Sequence, residues 1–169
     1  AIQAYAALVL ARQQKAPLGA LREIWERRAQ AKSGLPLMQL GLALKLMGDA
    51  PRSQQALDLA IKTPRSETQA WMADYGSPLR DNAMMLSLLE EYNLLPDAQN
   101  TLLNALSQQA FSQRWLSTQE SNALFLAGRS LQTLAGDWQA TTTPGGEGMR
   151  GNKPQVQNLN ADQLAALQV

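Results

Sequence analysis

The chain of 169 residues contains no cysteine and no histidine. Those two absences together remove disulfides, thiol nucleophiles, imidazole bases and most zinc and haem ligand sets. A chain without thiols suits the cytosol and the periplasm alike, so the redox compartment stays open. Charge of one sign is scarce as well. Fifteen Lys and Arg face fourteen Asp and Glu, and a net charge of +1 gives no reason to expect nucleic acid or an anionic membrane as partner. No apolar run reaches the roughly 18 residues that a spanning helix needs, and no signal peptide is present, so no direct membrane insertion by this segment is expected. There is no initiator Met, and the first residues are already in an apolar helical pattern without a capping residue ahead of them. That is the pattern of a piece of a longer chain. The length allows one sizeable core.

What is present is helical periodicity, clearest after Tyr75-Gly76-Ser77-Pro78-Leu79-Arg80-Asp81. Ser77 can cap a helix and Pro78 fits its first position, where a missing N–H costs nothing. From Asn82 to Leu95 the apolar groups lie almost all round the cylinder, which predicts a buried, inner helix ended by Pro96. Asp97 then caps a segment whose Leu102, Leu103, Leu106 and Ala110 form a single stripe, the mark of an outer helix. The same alternation runs through the earlier chain. Ile2 to Ala11 and Leu35 to Met47 predict inner helices, Gly34 closing the helix before the second of them. Leu18, Leu21, Ile24, Trp25 and Ala29, and then Ala56, Leu57, Ala60 and Ile61, predict outer ones. The corners ending at Pro17 and Pro51 lie 34 residues apart, and Pro96 ends the next corresponding run 45 residues later. The extra length falls in the irregular stretch from Thr63 to Gly76. A helical-hairpin repeat with one insertion accounts for the spacing.

Ser117 followed three residues later by Glu120 forms a capping box, and the seventh helix that it starts is again inner, ended by Gly136-Asp137. Beyond it, Thr141 to Gly151 predicts a loop, and Lys153 to Val169 predicts short strands around Val156, Leu159 and Leu164 or a short helix over Ala161 to Leu167. The expected fold is therefore all-α. About seven helices form hairpins of an α/α toroid, with an irregular or short β tail. Three hairpins and one unpaired inner helix are too few to close a ring, so one edge of the core should be left uncovered or capped by the tail.

Reactive constellations are few. Asp81 and Glu120 both fall in first turns of inner helices and at one end of the layer, where paired carboxylates could act as acid and base. Capping and the helix dipole explain them more simply. Arg22 with Glu26 and Glu23 with Arg27 have the spacing of ion pairs along a solvated face. Glu90 and Glu91 read as a polar corner, Met84 and Met85 as core, and Trp25, Trp71, Trp115 and Trp138 as wedges between hairpins. No catalytic residue, no metal ligand and no cofactor is assigned, and an enzyme is not expected.

Asp74-Tyr75-Gly76-Ser77-Pro78-Leu79-Arg80-Asp81-Asn82-Ala83 and Trp115-Leu116-Ser117-Thr118-Gln119-Glu120-Ser121-Asn122-Ala123 resemble the thioester domain of bacterial alpha-2-macroglobulins over roughly Ile2 to Trp138. The resemblance implies a piece of a broad-spectrum endopeptidase inhibitor, a protease trap whose buried thioester captures a lysine amine of its target. The thioester motif, Cys-x-Glu-Gln, needs a cysteine that this chain lacks, so it is expected upstream unless the parent lacks one. By the same resemblance, residues 1–138 are part of the toroid and residues 139–169 lead toward a neighbouring β-domain. Tyr75, Gly76, Ser77, Arg80, Asp81, Trp115, Ser117, Thr118, Gln119 and Glu120 are expected to shape the end near the thioester, without a catalytic role. Partners would be target proteases, met through the parent protein, and neighbouring domains of the same chain. The location would be periplasmic, with a lipid tether at a distant N-terminus. The other reading is a helical-repeat interaction module without covalent chemistry.

Overall fold

The computed structural model describes residues 1–65, 76–112, 115–134, 138–142, 149–151 and 167–168. Seven α-helices run in order, α1 Ile2–Arg12, α2 Leu18–Glu26, α3 Gly34–Leu46, α4 Ala50–Ile61, α5 Pro78–Glu91, α6 Pro96–Ser112 and α7 Thr118–Leu134. Among the described residues three short strands follow, β1 Trp138–Thr142, β2 Met149–Gly151 and β3 Leu167–Gln168. Two compact units divide the chain, Ala1–Ala127 and Gly128–Val169. In the first, α3 packs against α1 and α5 and is covered by α4 and α2, while α6 covers α5. That is the expected pairing of inner and outer helices. Among the described residues no helix is long and apolar enough to cross a membrane.

Burial follows the apolar patterns. In α3 Leu35 and every residue from Leu37 to Leu44 are buried, and in α5 no residue from Pro78 to Glu90 is exposed. The outer helices bury one stripe each, Leu21 and Trp25 in α2, Ala56, Leu57 and Ala60 in α4, Leu102 and Leu106 in α6. One apolar cluster gathers α3, α4, α5, α6 and α7 around Met38, Leu42, Leu86 and Leu89. A second joins α1, α2, α3 and α4 around Ala11, Leu21, Leu40 and Leu44. α1 departs from its expected all-round burial. Ala4, Ala7, Leu8 and Ala11 face the core, whereas Ile2, Tyr5 and Val9 form an exposed stripe with Ile2 84% exposed. α1 thus leaves an apolar stripe open to water.

The repeat is written in the backbone of its corners. Gln14, Gly48 and Asn93 all have positive φ, and the amide that follows each one donates back across the turn, Lys15 to Leu10 O, Asp49 to Leu44 O and Leu94 to Leu89 O, each at 2.9 Å. A left-handed residue closed by this six-to-one bond is the Schellman ending, and α1, α3 and α5 share it.

Several boundaries differ from expectation. Gly34 does not close the preceding helix but opens α3, because α2 already ends at Glu26 and a 3-10 turn, Arg28–Gln30, follows. A β-carbon at Gly34 would lie 2.1 Å from the Ala60 carbonyl oxygen, so the glycine is there for close helix packing. α5 stops at Glu91 because Asn93 and Leu95 adopt positive φ, and Pro96 opens α6 instead of merely ending α5. The loop expected over Thr141 to Gly151 holds strand residues at both ends. β1 pairs antiparallel with β2, Gln139 opposite Arg150, and with β3, Thr142 opposite Leu167, giving the order β2-β1-β3. Strand pairing offsets the poor local preference of this Thr- and Gly-rich stretch. Val156, Leu159, Leu164 and the Gly136-Asp137 helix end lie outside the described residues.

Candidate functional site

The two sequence motifs meet where α5 and α7 begin. Ser77 caps α5, its hydroxyl oxygen accepting the Arg80 amide at 3.1 Å, and Pro78 occupies the first turn as its fixed φ allows. Ser117 and Glu120 form the expected capping box. The Glu120 amide donates to Ser117 Oγ at 3.2 Å, and the Ser117 amide donates to Glu120 Oε2 at 2.8 Å. The Ser117 hydroxyl also donates to Oε2, at 2.8 Å. What the sequence did not announce is the link between the helices. The Ser77 hydroxyl donates to Glu120 Oε1 at 2.6 Å, so one carboxylate serves both caps.

Glu120 is 9% exposed. Burial works against its charge, but the hydrogen bonds from the Ser77 hydroxyl and from the Ser117 amide and hydroxyl outweigh it, and the pKa lies below its ordinary value. Asp81, 2% exposed, is held from both sides. Arg65 Nε donates to Oδ2 at 2.7 Å, and Arg80 donates to Oδ1 from Nη2 at 2.9 Å and from Nε at 3.2 Å. Both oxygens of each carboxylate are thus engaged by fixed donors. Such an arrangement suits the positioning of helix ends.

The inner helices α1, α3, α5 and α7 enclose, at their N-terminal ends, a groove of about 490 Å³. Ile2, Tyr5, Leu35, Met84, Ala123 and Leu126 supply apolar wall, and Arg65, Arg80, Gln39, Gln119 and Asn122 supply polar groups. The motif cluster therefore forms one rim of a recess in the inner layer.

The other expected residues are distributed plainly. Gly76 lies just before the cap, Thr118 and Gln119 are exposed in the first turn of α7, and Tyr75 and Trp71 lie outside the described residues. Trp115 does not wedge hairpins together. It is 89% exposed, because it stands in the connection ahead of Ser117 rather than on a helix face. Trp25 does pack in the core, with the Arg28 guanidinium 4.5 Å from its ring. Arg27 pairs with Glu23 as spaced, but Arg22 reaches Asp49 at 2.8 Å in place of Glu26. Asp49 caps α4 and also binds Arg52, which makes it the better-organised acceptor. Glu91 is part of an ion pair, to Arg12 at 2.6 Å, and Arg12 also donates to the Tyr92 hydroxyl. Arg65 was missed altogether. Its only sequence signal is a lone arginine at the end of an outer helix, before an irregular stretch.

Fold and site together define a helical-hairpin repeat segment, continued by a small antiparallel sheet, in which a polar cluster ties helix ends together. Over its whole length the chain is 69% identical to alpha-2-macroglobulin of Escherichia coli strain K12, of which it covers 10%. A cryo-EM structure of the native conformation of the E. coli protein superposes with a TM-score of 0.87 at 68% identity, covering 99% of this chain and 10% of that one. The crystal structure of the native E. coli protein from domain MG7 to the C-terminus gives 0.84 at 69% identity, covering 97% and 26%. Residues 136–169 match the family described as A2MG, CUB domain. The chain belongs to the bacterial alpha-2-macroglobulin family. It spans about a tenth of the length of the curated relatives it matches.

Proposed function

We propose that this chain is the C-terminal part of the thioester-bearing helical domain of a protease-trapping inhibitor, and that it supports a thioester carried upstream in the full-length protein. Residues 1–138 would belong to the α/α toroid, and residues 139–169 would lead into the neighbouring β-domain. Target proteases, and other domains of the same protein, would be its partners. The site of action would be the periplasm, with a lipid tether at the distant N-terminus. No residue of this chain takes a covalent role. The supporting observation is the shared carboxylate: Glu120 joins the caps of α5 and α7, and so makes one rigid rim out of the two motifs that carry the family resemblance.

The chemistry to be supported is aminolysis. An amine nitrogen bonds to the acyl carbon, the carbon–sulfur bond breaks, and the sulfur leaves to become a thiol with the proton the amine gives up. The test is mass spectrometry of the full-length protein before and after methylamine, with a free-thiol assay alongside. One methylamine adduct with one new thiol is expected. No adduct and no thiol would refute the thioester and leave a helical interaction scaffold.

A further inference from the structure

We infer that Glu120 acts as a clasp, positioning the first turn of α7 on α5 and thereby holding the α7 wall of the groove in place. The inference rests on the proposed thioester reading only for its consequence, that an open wall admits amines. Its basis is geometric. Glu120 contacts Ser77, 43 residues earlier in sequence, while the same carboxylate accepts from its own cap, Ser117. Ser77 in turn is fixed by the Arg80 amide, and Arg80 is fixed by Asp81, which Arg65 holds from the other side. A continuous polar chain therefore runs from the end of the α4 segment through α5 into α7. The groove wall depends on it, because Gln119, Asn122 and Ala123, which flank Glu120 on α7, line the recess together with Arg65 and Arg80. Among the described residues, Ala123 and Ala127 are the buried apolar contacts of α7, with Leu124 packed beside them.

A carboxylate with three donors is a stronger and more directional tie than the same area of alanine packing. It is also a tie that a competing donor or a pull on α7 can break at one point. In the full-length protein, breaking the clasp frees the α7 wall and widens the way into the recess.

The variants are Ser77→Ala, Glu120→Ala and the conservative Glu120→Gln, each in the full-length protein, with Gly48→Ala as a control that loosens a corner at the opposite ends of the inner helices. Two readouts apply. Amide hydrogen exchange over Ser121 to Ala127 is expected to quicken about tenfold in Ser77→Ala and Glu120→Ala, with α3 unchanged, and less in Glu120→Gln, which keeps an acceptor oxygen. Methylamine uptake without protease is expected to rise about tenfold in the same two variants and not in Gly48→Ala. Unchanged exchange in α7 overturns the clasp. Faster exchange with uptake no greater than in the control overturns its gating of the recess. If the unaltered protein forms no adduct, the thioester reading falls, and hydrogen exchange alone still decides whether the clasp positions α7.

Discussion

Replacing Arg65 by Met should cost about 2 kcal/mol of stability, at least twice what removal of a surface ion pair costs. The side chains of Arg65 and Asp81 are 5% and 2% exposed and meet at 2.7 Å. Stripping a buried carboxylate of its whole partner set costs about 3–5 kcal/mol. Here Arg80 remains at 2.9 Å, so roughly half of that loss is expected. The comparison is inside the same molecule. Arg12 and Glu91 meet at an even shorter 2.6 Å, but with side chains 41% and 48% exposed. Water screens that pair, and Arg12→Met should cost no more than about 1 kcal/mol, less in high salt. Urea unfolding followed by circular dichroism measures both, and a double-mutant cycle of Arg65→Met with Asp81→Asn isolates the coupling. Equal losses for Arg65→Met and Arg12→Met, or a coupling below about 0.5 kcal/mol, would refute the argument that burial and not distance sets the strength of these pairs.

Other substitutions test the packing, the corners and the charges. Gly34→Ala would push a β-carbon to 2.1 Å from the backbone oxygen of Ala60 and should cost about 2–3 kcal/mol, whereas Gly41→Ala meets Leu57 side-chain atoms at 3.1 Å, gains helix preference and should change stability by less than about 1 kcal/mol. The two unfolding midpoints decide it. At the left-handed corners Gln14→Gly should stabilise by about 1 kcal/mol and Gly48→Ala destabilise by a similar amount, and a lowered midpoint for the first or a raised one for the second would contradict the shared turn. Glu120 has a lowered pKa in the fold, so its contribution is complete above the ordinary carboxylate value and is lost as the pH falls through the lower folded value. Asp49, held down first by Arg22, adds a loss of the same sign. Acid titration of stability should therefore be shallower in Glu120→Gln than in the unaltered chain, and an unchanged slope would show that the hydrogen bonds do not favour the charged form.

Legibility in the sequence followed the range of the interaction. The capping box at Ser117 and Glu120, the cap at Ser77 and the proline in the first turn each act over three residues, and each appears in the structure as read. Inner and outer helices were legible because a helix repeats its environment every few residues. The contacts that join elements were not. Glu120 to Ser77 spans 43 residues and Arg65 to Asp81 spans 16, and no periodicity encodes either. Arg22 shows the competition directly. Local spacing offers Glu26, but the folded chain brings Asp49, already bound by Arg52 and the α4 amide, and the organised acceptor wins. In the tail, β1 and β2 exist through pairing, which one strand's composition does not express.

The exposed stripe of α1 shows how the same pattern can mean two things. Ile2, Tyr5 and Val9 sit three and four residues apart on one side, with Ala4, Ala7 and Ala11 on another, so α1 has the all-round apolar character of α3. In α3 both sides are covered, by α1 and by α5. In α1 one side meets α3 and the other meets water. Tyr5 and Ile2 also line the groove that Glu120 and Arg80 border. An apolar stripe continuous with a recess is the kind of patch that differs from the scattered apolar residues of an ordinary surface. Arg65, Asp81, Arg80, Ser77 and Glu120 hold the helix ends beside it at set positions. Direction in this region thus comes from the few charged contacts, while the apolar area around them contributes burial, which has no direction of its own.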